Sequence, residues 1–291
     1  MYVVTGVTGR TGAFAAQALL EAGESVRVVV RDATKGAIWT AKGAEVAVAD
    51  LADRQALTRA LSDAEGAYLV SPPGYHLPYL FETAKAVADT VAEAITAARL
   101  PKLVLLSSVG ADQPSGTGVI ATNHLTEQRL RQLGIPLTLL RASYFMENWG
   151  RVIDPVLTHG LLPSFLAPLD RKLPMVATQD IGRIAAAVLV EHWQGVRTFA
   201  LEGPISYSPN DIAQLLAPLT GRPVSAVAVE EASWAQVLGQ DGFSAAAVEG
   251  FVVMNQGLNS GHISFESDRA VRHIRGAIPF EQIAAGFVGG Q

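Results

Sequence analysis

Residues 2–12, YVVTGVTGRTG, decide the fold. Tyr2 to Thr5 read as a short buried strand, since three of the four are β-branched and such side chains suit a pleated surface. Glycines then fall at Gly6, Gly9 and Gly12, and residues 13–22 (AFAAQALLEA) read as a helix closed by Gly23. A strand, a glycine-punctuated turn and a helix start together make a cradle for phosphate. Gly6 permits the tight turn, Gly9 lets backbone N–H groups approach a pyrophosphate, and Gly12 lets the helix pack on the strand. The helix start adds unpaired N–H donors and a partial positive charge. A glycine pattern alone is a weak signal, but this one has the required strand before it and helix after it. A turn that serves structure only is the alternative.

Outward from that cradle, residues 23–31 (GESVRVVVR) form a second strand. Its end selects between dinucleotides, because an acidic residue there holds ribose hydroxyls whereas an Arg accommodates a 2′-phosphate. Arg31 occupies the place, with Lys35 four residues on and Arg10 in the glycine loop. Three cations at one corner favour NADP(H). Asp32 keeps the acidic option open, and a solvated charged turn is the plain reading of the same residues.

Strand and helix then alternate. Residues 44–50 (AEVAVAD) read as a third strand, 55–61 as a helix and 66–71 (GAYLVS) as a fourth strand. A rigid loop follows, Pro72-Pro73-Gly74-Tyr75-His76, at the carboxyl end of a strand, where parallel sheets bind ligands. Residues 81–98 are an Ala-rich helix, 103–106 a fifth strand leading into Ser107-Ser108-Val109-Gly110, 123–133 a helix and 137–141 a sixth strand. This alternation specifies an α/β fold, a Rossmann-type doubly wound parallel sheet. Beyond Asn148 the rhythm breaks into a Pro- and Gly-punctuated apolar stretch. A helix over 180–193, a strand over 197–202, a Ser208-capped helix and a strand over 223–229 outside the main sheet follow. Two helices between 230 and 257, a polar turn and an apolar segment over 280–288 complete the chain. The expected division is a dinucleotide-binding domain over 1–150, with 176–203 contributing to it. A smaller, discontinuous substrate-side α/β region over 151–291 lies above the sheet's carboxyl edge.

Composition narrows the function classes. With 49% apolar and 17% charged residues, the 291-residue chain can build a large core, and a formal charge of −5 supplies no basic face for nucleic acid. There is no cysteine, which excludes thiolate metal sites and a cysteine nucleophile. No metal-ligand spacing such as HExxH and no G-x-S-x-G elbow is present. A strand beginning at residue 2 leaves no room for a signal peptide, and no apolar run reaches membrane-spanning length. The expectation is a cytoplasmic protein without membrane or metal, acting on a small flat or aromatic molecule. A homodimer stays an open alternative.

TGVTGRTG, Arg31, the LVSPP loop, LLSSVGA (105–111), GIPLTLLRASYFMEN (134–148) and QDIGRIAAAVL (179–189) resemble the NmrA-like branch of atypical short-chain dehydrogenase/reductases. That branch includes type-2 quinone oxidoreductases, triphenylmethane reductases and redox-sensing NmrA regulators. The resemblance implies that Gly6, Thr8, Gly9, Arg10, Thr11 and Gly12 line the pyrophosphate and nearby ribose. Arg31, with Lys35 beside it, would bind the 2′-phosphate, and Asp50 and Leu51 the adenine. Ser71 and Pro72 would flank the adenosine ribose. Ser107 and Ser108 would lie near the nicotinamide ribose, and Tyr144 and Phe145 beside the nicotinamide. The Pro that follows the family's Leu-Arg pair is Ala142 here.

The wider superfamily reduces ketones with Tyr as acid and Lys four residues later. None of the six tyrosines has a lysine at that distance, and in the family register Val119 and Asn123 stand in the two places. Reducing a ketone creates a strongly basic alkoxide that needs a proton donor in the site. Reducing a quinone creates a phenolate-like anion, comparable to tyrosinate at about 10, which water can protonate. Reduction of an iminium or carbocationic dye creates no anion at all. The expected activity is therefore NADPH-dependent reduction of a quinone or similar flat acceptor, and the alternative is an NmrA-like dinucleotide sensor. Tyr75, His124 and Tyr144 are the candidate proton donors or clamps, each with packing as the plain alternative.

Overall fold

Side chains along each central strand alternate between two apolar layers, as the two-residue period of a strand requires. The computed structural model describes residues 1–265 and 271–288. Eight strands, numbered in chain order, form the main sheet: β1 (Tyr2–Val4), β2 (Val26–Val30), β3 (Glu45–Val48), β4 (Gly66–Leu69), β5 (Leu103–Ser108), β6 (Leu137–Ala142), β7 (Val196–Glu202) and β8 (Val271–Arg275). Their order across the sheet is β8-β7-β6-β5-β4-β1-β2-β3, and every pairing is parallel. The chain winds outward from β1 through β2 to β3, then returns to place β4 on the other side of β1. That reversal is the topological switch point, where open α/β sheets bind ligands beyond their carboxyl ends.

On one face Tyr2, Val4, Val28, Val30, Tyr68, Val104 and Leu140 pack against Ala15, Leu19, Ile181, Ala185 and Leu189. On the other face Val3, Val29, Leu69, Leu103, Leu105 and Leu139 meet Leu57, Leu61, Val91, Ile95 and Leu130. Helix Arg10–Glu21 lies directly on helix Thr178–Val190. A Cβ added to Gly182 would sit 2.7 Å from the Thr11 carbonyl oxygen, so the two backbones touch.

A third core joins Trp149, Val156, Leu162, Met175, Tyr207, Ile212, Leu258 and Phe280 over the carboxyl side of β6 and β7. The stretch read as loop-rich beyond Asn148 carries more structure than its Pro and Gly content suggested. A helix (Ile153–His159) and strands Leu161–Ser164 and Leu173–Val176 are cut from it. Ser225–Ala228 pairs in parallel with Leu161–Ser164, outside the main sheet. Ser208 caps helix Pro209–Thr220 through a reciprocal capping box with Asp211. Two corrections to the sequence reading follow. The first helix begins at Arg10 rather than residue 13, because Gly9 already serves as its N-cap. Val271–Arg275, read as part of a polar turn, is the edge strand β8, so the main sheet recruits chain from far beyond residue 203. Its exposed Arg272, His273 and Arg275 suit an edge strand and break the apolar pattern.

Candidate functional site

The expected site residues lie on the segments that leave the carboxyl ends of β1, β2, β3, β4, β5 and β6, one beside the next along a single edge of the sheet. At β1, Gly6 turns the chain with φ +68°, a conformation that a side chain disfavours. A Cβ at Gly12 would fall 2.4 Å from the Gly6 carbonyl oxygen and 2.6 Å from that of Thr5, so helix and turn are in backbone contact. Gly9 differs. Its Cβ would meet only the Gly6 oxygen, at 3.3 Å, and otherwise open space. The Gly9 N–H donates to Gly6 O at 2.9 Å, and no side chain caps the helix that starts at Arg10. Thr5 fixes the turn from below, its hydroxyl accepting the Val70 N–H at 2.8 Å. Thr8 is exposed above the cradle and Thr11 is buried beneath it.

Arg31 leaves the end of β2 exposed, and neither it nor Arg10 has a hydrogen-bond or ion-pair partner among the described residues. Asp32, the acidic alternative, is engaged otherwise. Its carboxylate accepts the Thr34 N–H at 2.9 Å, capping the turn Ala33–Gly36, and hydrogen bonding with the Thr34 side chain and then its N–H holds it below the usual carboxylate range. Lys35 sits on the same turn, exposed. Past β3, Asp50 accepts the Ala52 N–H at 2.9 Å, and Leu51 is buried in the core. Ser71 is half-buried and Pro72 exposed on the loop after β4.

At β5 the two serines part. Ser107 is buried, and its hydroxyl donates to Glu127 Oε1 at 2.6 Å, while Ser108 donates to the Val109 carbonyl at 3.0 Å. The hydroxyl of Ser107 is thus committed to the interior rather than offered at the sheet edge. Glu127 in turn holds Arg141 with both oxygens. The partnership of Glu127 with Arg141 is not legible in the sequence. An arginine within the apolar strand LTLLRA was the available signal, since a charge in a buried strand requires a partner.

Helix Ala121–Leu130 carries Asn123 and His124. His124 Nδ1 lies 2.8 Å from the Ala111 carbonyl oxygen, which ties the helix to the loop after β5. Val119 is buried beneath helix Ala245–Ser260, where a Cβ at Gly250 would fall 2.8 Å from its side chain. No proton donor can act from that position.

Tyr144 is half-buried beyond β6, its ring 6.2 Å from Trp149. Burial pushes its phenol up to about 12, opposed by a hydrogen bond with Asn148 and by the charge of Arg151. Glu147 secures this turn from behind, accepting the Thr178 N–H at 2.9 Å as well as the Thr178 hydroxyl. Phe145 packs against the main core. Tyr75 lies in a separate aromatic group, edge-on to Phe243 at 5.5 Å and Phe251 at 4.8 Å, with its carbonyl accepting the Ser244 N–H at 2.8 Å. His76 is exposed. Among the described residues no group of three or more His, Asp or Glu could hold a metal, and no helix is long and apolar enough to cross a membrane.

The NmrA-like family model matches residues 2–270. The chain belongs to the NmrA-like family. Quinone oxidoreductase 2 of Escherichia coli (strain K12) is 29% identical over 244 residues, spanning 82% of this chain and 81% of its own. NAD(P)H azoreductase of Xenophilus azovorans is 26% identical over 236 residues, spanning 79% and 77%. The solved structure of an NADPH-dependent quinone oxidoreductase from Escherichia coli superposes with a TM-score of 0.79 at 25% identity, over 98% of this chain and 99% of that one. The architecture described above is thus shared with that solved structure over nearly the whole chain.

Proposed function

We propose that this NmrA-like protein is an NADPH-dependent reductase of a quinone or similar flat electron acceptor. The observation that carries the reading is the open cradle at Gly9 with two partnerless guanidinium groups, Arg10 and Arg31, along the same sheet edge. A dinucleotide fits it. The first helix turn offers uncapped N–H donors to a pyrophosphate, and Arg31 offers a 2′-phosphate a charge-assisted contact that costs no existing ion pair. When bound, a reduced nicotinamide supplies a hydride.

The chain's own residues then set what can accept it. With valine at position 119 and asparagine at 123, the superfamily's acid and its lysine partner are missing from their usual places, and ketone reduction loses that proton donor. Tyr144, its proton held tightly by burial, can donate a hydrogen bond to an acceptor oxygen without surrendering the proton. The half-buried ring of Tyr144, and the separate group of Tyr75, Phe243 and Phe251, supply aromatic surface that suits a planar molecule. The quinone and azo reductase activities named for the two relatives agree with such a site.

The test is NADPH titration followed by NADPH oxidation with a panel of quinones, imines and ketones. Turnover of quinones in preference to ketones is expected. Tight NADPH binding without turnover of any acceptor would instead make the protein a dinucleotide sensor.

A further inference from the structure

Arg151 stands on the same turn, Met146–Val152, as Asn148 and Trp149, and its guanidinium carbon lies 5.2 Å from the centre of the Phe243 ring. Phe243 stacks on Phe251 at 5.0 Å, and both contact Tyr75. One arginine therefore stands on the turn that carries Trp149 and reaches over a ring of the Tyr75 group. Its Nη2 also donates to Asp241 at 2.7 Å, with both side chains about half exposed. The charge of Arg151 opposes the effect of burial at Tyr75 and at Tyr144 alike.

Building on the reductase reading, we infer that Arg151 is a specificity-determining residue: it selects neutral acceptors that become anionic on reduction, such as quinones, over acceptors that are cationic beforehand. The electron balance explains the sign. Addition of a hydride to a neutral quinone places one negative charge on its oxygens, and a proton from water completes the hydroquinone. A nearby fixed positive charge stabilises that anion as it develops. A triarylmethane cation or an iminium ion becomes neutral on hydride addition, so the same charge opposes its entry and gives its product nothing. Asp241 holds the guanidinium over Phe243 and moderates the field.

The experiment compares kcat/KM for a neutral benzoquinone and a cationic triarylmethane dye in wild type, Arg151→Gln, Arg151→Lys and Asp241→Asn. Arg151→Gln should lower the quinone value by about tenfold, the scale of one charge acting at several ångströms. It should leave the dye value unchanged or raise it. Arg151→Lys should keep most of the preference, and Asp241→Asn should increase it. Equal effects on both acceptors would overturn the inference. A second readout needs no turnover. 4-Nitrophenol bound to the NADP-loaded protein should be more ionised at fixed pH with wild type than with Arg151→Gln, as its visible absorbance reports. The same ionised fraction in both proteins, or no binding, contradicts the assignment. Failure of all acceptors to turn over would remove the reductase reading, while the nitrophenol result would still decide the placement of Arg151.

Discussion

Glu127 grips Arg141 with both carboxylate oxygens, Oε1 on Nε at 2.9 Å and Oε2 on Nη2 at 2.7 Å. Both side chains are nearly sealed from water, and Asp112 approaches the same guanidinium at 3.3 Å. The pair fastens helix Ala121–Leu130, which carries Asn123 and His124, to the strand that delivers Tyr144. Removing one partner strands a buried charge. Arg141→Met should therefore cost about 3–5 kcal/mol of stability in denaturant unfolding. Adding Glu127→Leu to it should recover much of that loss, because a well-packed apolar pair can replace a buried ion pair.

Arg31 has no partner to give up, whereas Asp32 is already occupied by Thr34. Arg31→Ala should weaken NADPH by about tenfold to a hundredfold, the worth of a charge-assisted contact of about 1.5–3 kcal/mol. NADH, lacking the 2′-phosphate, should lose little. Calorimetric titration with both dinucleotides checks this, and equal losses would remove Arg31 from the phosphate site.

Gly9 and Gly12 should respond differently to a side chain. Gly9→Val should abolish dinucleotide binding with little change in unfolding midpoint, since its Cβ points into space a ligand would use. Gly12→Ala should instead lower stability, because its Cβ would collide with the carbonyl oxygens of Gly6 and Thr5. Unfolding curves and NADPH titrations on both variants separate the two cases.

The phenol of Tyr144 is raised to about 12 in the folded protein, against about 10 for an exposed tyrosine. The unfolded chain therefore releases this proton first as pH rises. Stability from the neutral buried phenol is complete below about pH 10 and is lost as pH climbs toward about 12. Denaturant midpoints measured across that window should fall less steeply in Tyr144→Phe than in wild type. Parallel curves would mean that Tyr144 titrates as an ordinary surface tyrosine.

The first six strands were legible because each is a short apolar run set off by glycine, proline or charge, and helices of clear period lie between them. The cradle was legible for a local reason: Gly6, Gly9 and Gly12 do their work within one turn. The network at Ser107 was not, since its serine, glutamate and arginine come from three elements and meet only once the sheet is wound. The same holds for Arg151, whose neighbours Asp241 and Phe243 lie some ninety residues away along the chain. Edge strand β8 was not legible because VRHIR breaks the two-residue period, with Arg272 and His273 adjacent and both exposed. Local chemistry reads from sequence, but long-range pairing of side chains does not.

The central claim is that hydride transfer here proceeds without an acid at residue 119 or 123 and is confined to acceptors that need none. The most direct measurement is kcat/KM for NADPH-dependent reduction of a benzoquinone against a simple ketone of similar size, with the same protein at neutral pH. Lack of a general acid costs about 10²- to 10⁴-fold, so the ketone should fall at least that far below the quinone. A ketone rate within tenfold of the quinone rate, lost in Tyr144→Phe or His124→Ala, would show that an acid is present elsewhere in the site and would contradict the account.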